Sequence, residues 1–419
     1  MRLLFLSNLY PPIGGGGYEQ WCQEVAEGLQ RRGHAVAVLT SRTWRDEVVQ
    51  PEPDWVHREL FMEMEFRTRA HSLHFFTRRE AREQTNLDYL RQIVSTFQPD
   101  LIFIWGMWNL PRSLPALAEQ SCPGRVVYYL ADYWPTLPSQ NELYWQAPSR
   151  NFAARISKAL LRLAARQILQ KSSLPGLEFA RVIFPSAYLH DEIIRRGVPM
   201  QETQVITGAI DTRPFIQANG AHAHVSGERQ QGNALSLLYA GRLSPEKGIE
   251  TAIQAMQELV QRHGIRDVKL SIIGGGERGY VARLRQIVQQ AELGEWIDFQ
   301  GPIPKDSMPA LYRQFDAFVF TSTWQEPFGR VLVEAMASGV AVIGTATGGA
   351  GEILVDHENA LTFTPGDASR LAEQILRLHQ QPSLRQQLVE NGRRIASEKY
   401  DISRMVAEIE AYLKSVLTE

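Results

Sequence analysis

Short apolar runs alternate with helical periodicity along both halves of the chain, and this alternation limits the fold more than any other feature. In the first half, RLLFLSN, HAVAVLTS, DLIFIWG, RVVYYLAD and ARVIFPS are nearly continuous in apolar residues. A strand buried on both faces of a parallel sheet reads this way, whereas a half-exposed strand alternates. Between the first two runs lies YEQWCQEVAEGLQRRG, where Trp21, Val25 and Leu29 recur every four residues and Gly33 stands at the expected stop. In the second half, LSLLYAG, VKLSIIG, IDFQG, AFVFTS and VAVIGTA repeat the pattern. Two βαβ arrays in series predict an α/β chain of two Rossmann-like, doubly wound domains facing one another across a cleft. A length of 419 residues also favours two cores over one. The predicted domains are 1–210 and 233–400, with a linker over 211–232 and a terminal helix over 401–419. The stretch from Gln217 to Gly232 is polar and without periodicity, and its His222 and His224 read as loop residues rather than a metal pair. Met405, Ile409, Leu413 and Leu417 give the last helix its apolar stripe.

Composition excludes several classes. A net charge of −2 argues against a nucleic-acid partner. Cys22 and Cys122 are too few for a disulfide framework or a metal site, so a reducing, cytoplasmic setting is expected. The opening MRLLFLSNLYPP reads as a first strand rather than a signal peptide, and LIFIWGMW is far short of the roughly 18 residues that span a bilayer.

Three loops fall where doubly wound sheets bind ligands, beyond the carboxyl ends of strands. LYPPIGGGGYEQW places Gly14 to Gly17 between the first strand and a helix N-terminus, a backbone able to approach a phosphate; a plain flexible loop is the other reading. LLYAGRLSPEKG sets Arg242 and Lys247 around a turn at Pro245, a fork and a point charge suited to a diphosphate, or else two cations on a solvated loop. TSTWQEPFGRVLVEAMASG carries Glu326 just before Pro327 and Glu334 amid apolar residues. Pro327 is expected to start a helix, with free N–H groups at Phe328, Gly329 and Arg330. An acid in an apolar helix needs compensation, and ligand hydroxyls would supply it. SIIGGGERG matches the dinucleotide fingerprint but follows the second strand of its array, not the first, so it is read as a loop on the nucleotide side.

PPIGGGGYE, GRLSPEKG and EPFGRVLVEAMASG, in this order, resemble the retaining nucleotide-sugar glycosyltransferases of the GT-B fold, in the family 4 group with an E-x7-E pair. The resemblance implies that Arg242 and Lys247 hold the donor diphosphate, that Glu326 contacts the donor sugar and that Glu334 contacts the ribose. Gly15, Gly16, Gly17, Gly241, Gly274, Gly275, Phe328, Gly329, Arg330 and Val331 would complete the donor site. TATGGAGEILVD, with Gly348, Gly349 and Glu352, is similar to a donor-domain loop of the family. ITGAIDTRPF is similar to its domain-joining segment, with Gly208 where an Asn is usual. The last helix resembles one that crosses back onto the N-terminal domain. No cofactor and no metal are implied, and no Asp-x-Asp pair is present. Retention without a carboxylate nucleophile implies same-face attack helped by the leaving phosphate. A UDP-sugar donor and a saccharide or lipid-linked acceptor are the first expectation.

The chain departs from the family where many members read HDYWP and this one reads LADYWP, so that Ala131 replaces a histidine. Asp132 then becomes the candidate polar group on the acceptor side, or else a cap on the turn before Tyr133 and Trp134; Trp105 and Trp134 read either as stacking surfaces for a saccharide or as core and rim packing. The departure keeps two other readings open, a donor-binding partner subunit without turnover and a nucleotide-sugar epimerase. Leu143 to Leu177 contains no acid but six bases: Arg150, Arg155, Lys158, Arg162, Arg166 and Lys171. This amphipathic stretch, over 150–171, reads either as the solvated face of a packed helix or as contact with anionic lipid at the inner face of a membrane.

Overall fold

The computed structural model describes residues 1–14, 16–43, 52–65, 71–148, 152–171, 176–217 and 234–418. The chain forms two compact units, Met1–Ile206 with Val406–Glu419, and Thr207–Met405. The linker histidines lie outside the described residues.

The first unit is built on a parallel sheet of seven strands. They are β1 (Arg2–Ser7), β2 (Ala35–Ser41), β3 (Val56–Leu60), β4 (Leu101–Ile104), β5 (Val126–Tyr129), β6 (Arg181–Phe184) and β7 (Glu202–Val205), in the order β3-β2-β1-β4-β5-β6-β7. Every residue of β4 and β5 is buried, as an interior strand covered on both faces requires. The winding reverses between β1 and β4, which makes that pair the switch point. The helix Gly17–Arg31 follows β1 and buries Trp21, Val25 and Leu29. The C-terminal helix, Ile402–Thr418, packs here from Val406 onward. Its Val406 methyl groups lie so close to Gly28 that a side chain there would overlap them. Its Glu410 takes Arg32, His34 and Lys414, and these donors hold the carboxyl well below the usual range.

The second unit repeats the plan with β8 (Leu235–Ala240), β9 (Val268–Ile273), β10 (Ile297–Gly301), β11 (Ala317–Phe320), β12 (Ala341–Gly344) and β13 (Leu361–Thr362). The order is β10-β9-β8-β11-β12-β13, all parallel, so the switch point falls between β8 and β11. Its core gathers Leu237, Ile253, Met256, Leu270, Val319 and Ile343 with their neighbours. Among the described residues no helix is long and apolar enough to cross a membrane.

Candidate functional site

Three loops leave the carboxyl ends of β8, β11 and β12 and are tied to one another by backbone. After β8 the chain turns through a short 3-10 segment, Pro245–Lys247, and reaches Gly248 with φ of 65°. Only a glycine fits, because a Cβ there would overlap the Thr321 carbonyl oxygen. Thr321 returns its hydroxyl to the Lys247 carbonyl at 2.8 Å, and the amides of Thr323 and Trp324 both donate to the Glu246 carbonyl, at 2.9 and 3.1 Å. From the other side, the Gly349 amide donates to the Glu326 carbonyl at 2.6 Å, and the Thr347 hydroxyl to Trp324 at 2.9 Å. Gly348, with φ of 59°, lies so close that a Cβ would overlap the Glu326 backbone.

This stitching brings Lys247 and Glu326 together across 79 residues of sequence. The Lys247 ammonium donates to Glu326 Oε1, and the Ser322 hydroxyl donates to the same oxygen at 2.7 Å. Glu326 is buried, its side chain 11% exposed. Its compensating charge is therefore internal, where the sequence suggested ligand hydroxyls. Oε2 takes no hydrogen bond from the described residues, so the carboxylate keeps acceptor capacity on one edge. Arg242 is largely exposed and reaches Glu246 at 3.3 Å. At the switch point, then, one lysine is fixed by an acid and one arginine is held loosely beside it.

The helix after β11 runs Arg330–Ser338, three residues later than Pro327 led one to expect. Gly329, with φ of 117°, makes the turn instead: a positive φ is open to glycine and closed to proline. Phe328 and Gly329 thus precede the helix, while Arg330 and Val331 open its first turn, where amides lack intrahelical acceptors. The Phe328 ring is buried against Tyr400, with centroids 5.8 Å apart. Arg330 is buried and donates to the Ala209 carbonyl at 3.4 Å, so its guanidinium belongs to the joining segment rather than to an open loop. Glu334 is half-buried in the second turn and accepts from the Tyr312 hydroxyl at 3.2 Å. Burial and the adjoining carboxylate push the Tyr312 phenol well above its usual pKa, which keeps it a donor.

The glycines of SIIGGGERG have another purpose than the fingerprint suggests. A Cβ on Gly274 would overlap the Gly241 carbonyl, and one on Gly276 the Leu243 carbonyl. The Leu243 amide donates to Gly275 at 2.8 Å. These residues let two strand-end loops lie against each other, whereas Gly279 meets nothing nearer than Glu277 at 4.0 Å.

In the first unit, the loop after β1 is held from below by Arg58 of β3. Its side chain is 1% exposed; it donates to the Tyr10 carbonyl at 2.8 Å and the Pro11 carbonyl at 2.7 Å, and it pairs with Glu52. Gly15 lies outside the described residues. Gly16 caps the helix and Gly17 opens it; a Cβ on Gly16 would overlap the Glu19 carboxylate, which reaches back to the Gly16 amide. The Tyr18 ring lies over Gly106, beyond β4, and its hydroxyl donates to the Tyr129 carbonyl at the end of β5. Asp132 follows β5. Its Oδ1 accepts the Trp134 amide at 3.0 Å, the geometry of a turn cap. Burial, reinforced by the charge of Glu19 and opposed by the Trp134 amide, pushes its carboxyl up to about 7.

Of the two readings of the aromatics, the structure shows packing. Trp105 is fully buried, stacked on Tyr129 with centroids 4.3 Å apart and on Phe5 at 6.2 Å. Trp134 is 3% exposed and packs against Phe179 in the sheet core. Neither ring presents a face to a saccharide, and both fill space between sheet and helices. Among the described residues no group of three or more His, Cys, Asp and Glu is placed to hold a metal ion.

Two parallel doubly wound sheets, each with its loops at a switch point, define an α/β protein of the GT-B fold. Residues 15–213 match Glycosyltransferase Family 4, and residues 226–395 match Glycosyl transferases group 1. The chain is a glycosyltransferase of this group 1 and family 4 class. It is 26% identical over 413 residues to an uncharacterized glycosyltransferase, MJ1607, of Methanocaldococcus jannaschii, covering 97% of this chain and 96% of that protein. Sucrose-phosphate synthase from Thermosynechococcus elongatus shares the fold with a TM-score of 0.73 at 20% identity, covering 100% of this chain and 99% of that one. Anabaena HepE in complex with UDP-glucose does so with a TM-score of 0.68 at 23% identity, covering 99% and 100%.

Proposed function

We propose that this glycosyltransferase moves a hexose-type sugar, with retention and without a metal, from a nucleotide sugar to a saccharide or lipid-linked saccharide. The observation that carries the reading is the Lys247–Glu326 pair at the β8/β11 switch point. In it Lys247 and Arg242 take the donor diphosphate. Each charge-assisted bond contributes roughly 1.5–3 kcal/mol and neutralises the departing phosphate, the task a divalent ion performs elsewhere. Glu326 accepts from the donor sugar through the carboxylate edge left open by Ser322. Glu334, eight positions on, takes the ribose hydroxyls in the E-x7-E arrangement. The first helical turn at Arg330 and Val331, with the neighbouring strand-end glycines Gly241, Gly274 and Gly275, lines the nucleotide. Gly16 and Gly17 lie at the corresponding loop of the first unit, where Asp132 serves as the acceptor-side carboxylate in place of the family's histidine. A UDP-sugar is the first donor to try, in keeping with the UDP-glucose held by HepE.

A panel of nucleotide sugars tested by thermal shift checks this, because a ligand bound only by the folded state raises Tm by mass action. The expected result is a rise with one class of nucleotide sugar, absent in Lys247→Ala, and slow release of nucleoside diphosphate that persists in EDTA. No rise with any nucleotide sugar overturns the donor assignment. Loss of turnover in EDTA, restored by a divalent ion, overturns metal independence. Conversion of the sugar without release of the nucleotide identifies an epimerase instead, and binding without either reaction a partner subunit.

A further inference from the structure

Exposed large apolar side chains are concentrated on one part of the first unit. Six of the ten among the described residues sit on three neighbouring helices. Leu73 and Phe76 belong to His71–Thr77, Leu143 to Gln140–Gln146, and Leu160, Leu161 and Leu163 to Phe152–Lys171. The three helices meet in a small core of their own, Phe75, Trp145 and Ala165 with Ile168 and Leu169 against it. Phe75 and Phe76 both reach the Trp145 ring, with centroids at 5.4 and 5.6 Å. Scattered exposed leucines need no explanation, but a cluster of them does.

The helix Phe152–Lys171 shows how the cluster arises. Ala165, Ile168 and Leu169 form its inward face, and at 3.6 residues per turn Leu160 and Leu163 fall on the opposite one. They are 69% and 68% exposed. These leucines point outward, and Arg162 and Arg166 flank them. Arg162 and Arg166 are exposed between the two faces and make no ion pair among the described residues. Lys158 is engaged inward, donating to the Ala147 carbonyl at 2.9 Å and lying 4.1 Å over the Tyr144 ring. Arg150 and the side chains of Arg155 and Lys171 lie outside the described residues. Leu143 to Leu177 holds no acid, while the chain as a whole carries −2.

We infer that this three-helix face docks on the headgroup region of an anionic bilayer. Outward leucines with arginines on the flank match that layer in both respects: acyl chains take the apolar tips while lipid phosphates take the guanidiniums. The inference goes beyond the sugar-transfer reading and does not depend on it. The test is sedimentation of the full chain with vesicles of mixed phosphatidylcholine and phosphatidylglycerol, against phosphatidylcholine alone, at low and high salt. Pelleting with the anionic vesicles at low salt, weakened by salt, is expected. Arg162→Glu with Arg166→Glu lowers the partition about tenfold or more. Leu160→Ser with Leu163→Ser lowers it comparably at low salt, with Tm unchanged because both side chains are already in water. Failure to pellet at low salt overturns the proposal, as does pelleting of the double-serine variant at the unmodified level. A concentration-dependent dimer that the serine variant abolishes, without vesicle binding, assigns the face to a second copy of the chain and overturns it equally.

Discussion

Replacing Lys247 by Ala separates two effects that the structure superimposes on one side chain. The ammonium neutralises Glu326, whose side chain is 11% exposed, while the lysine itself is 23% exposed. Breaking a fully buried pair costs about 3–5 kcal/mol, and the solvent at Lys247 reduces this to roughly 1–3 kcal/mol. If Lys247 also holds the donor diphosphate, its loss removes roughly 1.5–3 kcal/mol of charge-assisted bonding, or about 10–150-fold in donor affinity. Adding Glu326→Gln distinguishes the two. The amide still accepts from Ser322 but carries no charge, so the double variant has no orphaned carboxylate to destabilise it. The expected outcome is that Lys247→Ala lowers the Tm of the free protein, that the double variant regains most of it, and that nucleotide-sugar affinity by calorimetry stays low in both. Recovery of affinity in the double variant would show that Lys247 acts only by neutralising Glu326. Wild-type affinity in Lys247→Ala would refute the assignment directly.

Other perturbations test other parts of the chain. Asp132 has a folded carboxyl pKa raised to about 7, so the folded state binds a proton that the unfolded state has released, and its cost to stability grows as pH rises from about 4 to 7. Asp132→Asn keeps the cap on Trp134; its unfolding free energy should match wild type near pH 4 and exceed it above pH 7, by up to roughly 4 kcal/mol, while sugar transfer falls by ~10²-fold. An unchanged transfer rate would leave Asp132 as a turn cap alone. Arg58→Ala removes both donors beneath Tyr10 and Pro11 and orphans Glu52; urea unfolding should show a loss of about 3–5 kcal/mol, and a loss under 1 would contradict the buried geometry. Gly276→Ala should lower Tm because its Cβ overlaps the Leu243 carbonyl, whereas Gly279→Ala, in open space within a helix, should be neutral or gain about 0.5–1 kcal/mol. Equal effects at both positions would restore the dinucleotide reading of that stretch.

Strand identity was legible wherever a strand is interior. Each run noted in the two halves became a strand. The interior ones are legible because burial on both faces leaves few polar positions to break the run, while IDFQG became β10, an edge strand whose burial alternates. The strands that escaped notice are β3, β7 and β13, all at sheet edges. β3 reads VHREL and alternates buried with half-buried residues, and β7 reads ETQV with none fully buried. One side of an edge strand lacks a neighbour, so polar residues are tolerated and the apolar signal disappears. Arg58 shows the cost of that blindness, since the buried guanidinium that shapes the loop after β1 sits in a strand the sequence did not announce.

Within the sites, legibility depended on how far a residue stands beyond the last rung of its strand. Trp105 directly follows β4 and continues its pleat, so its ring enters the core layer beside Phe5 and Tyr129. Asp132 stands three residues past β5, after the chain has begun to turn, and its carboxylate turns back to the Trp134 amide while feeling the charge of Glu19. Lys247 and Glu326 stand further out still, seven residues past β8 and six past β11, where ladder geometry no longer decides direction. There the glycines decide it. Gly248 and Gly348 allow one backbone to lie against another, and the acid and the lysine meet because their loops do. A Gly run read only as room for a phosphate misses this second use, in which the space is taken by the protein's own carbonyls. The same residues therefore fix the pair in position, and the charge of Glu326 is balanced within the protein by Lys247.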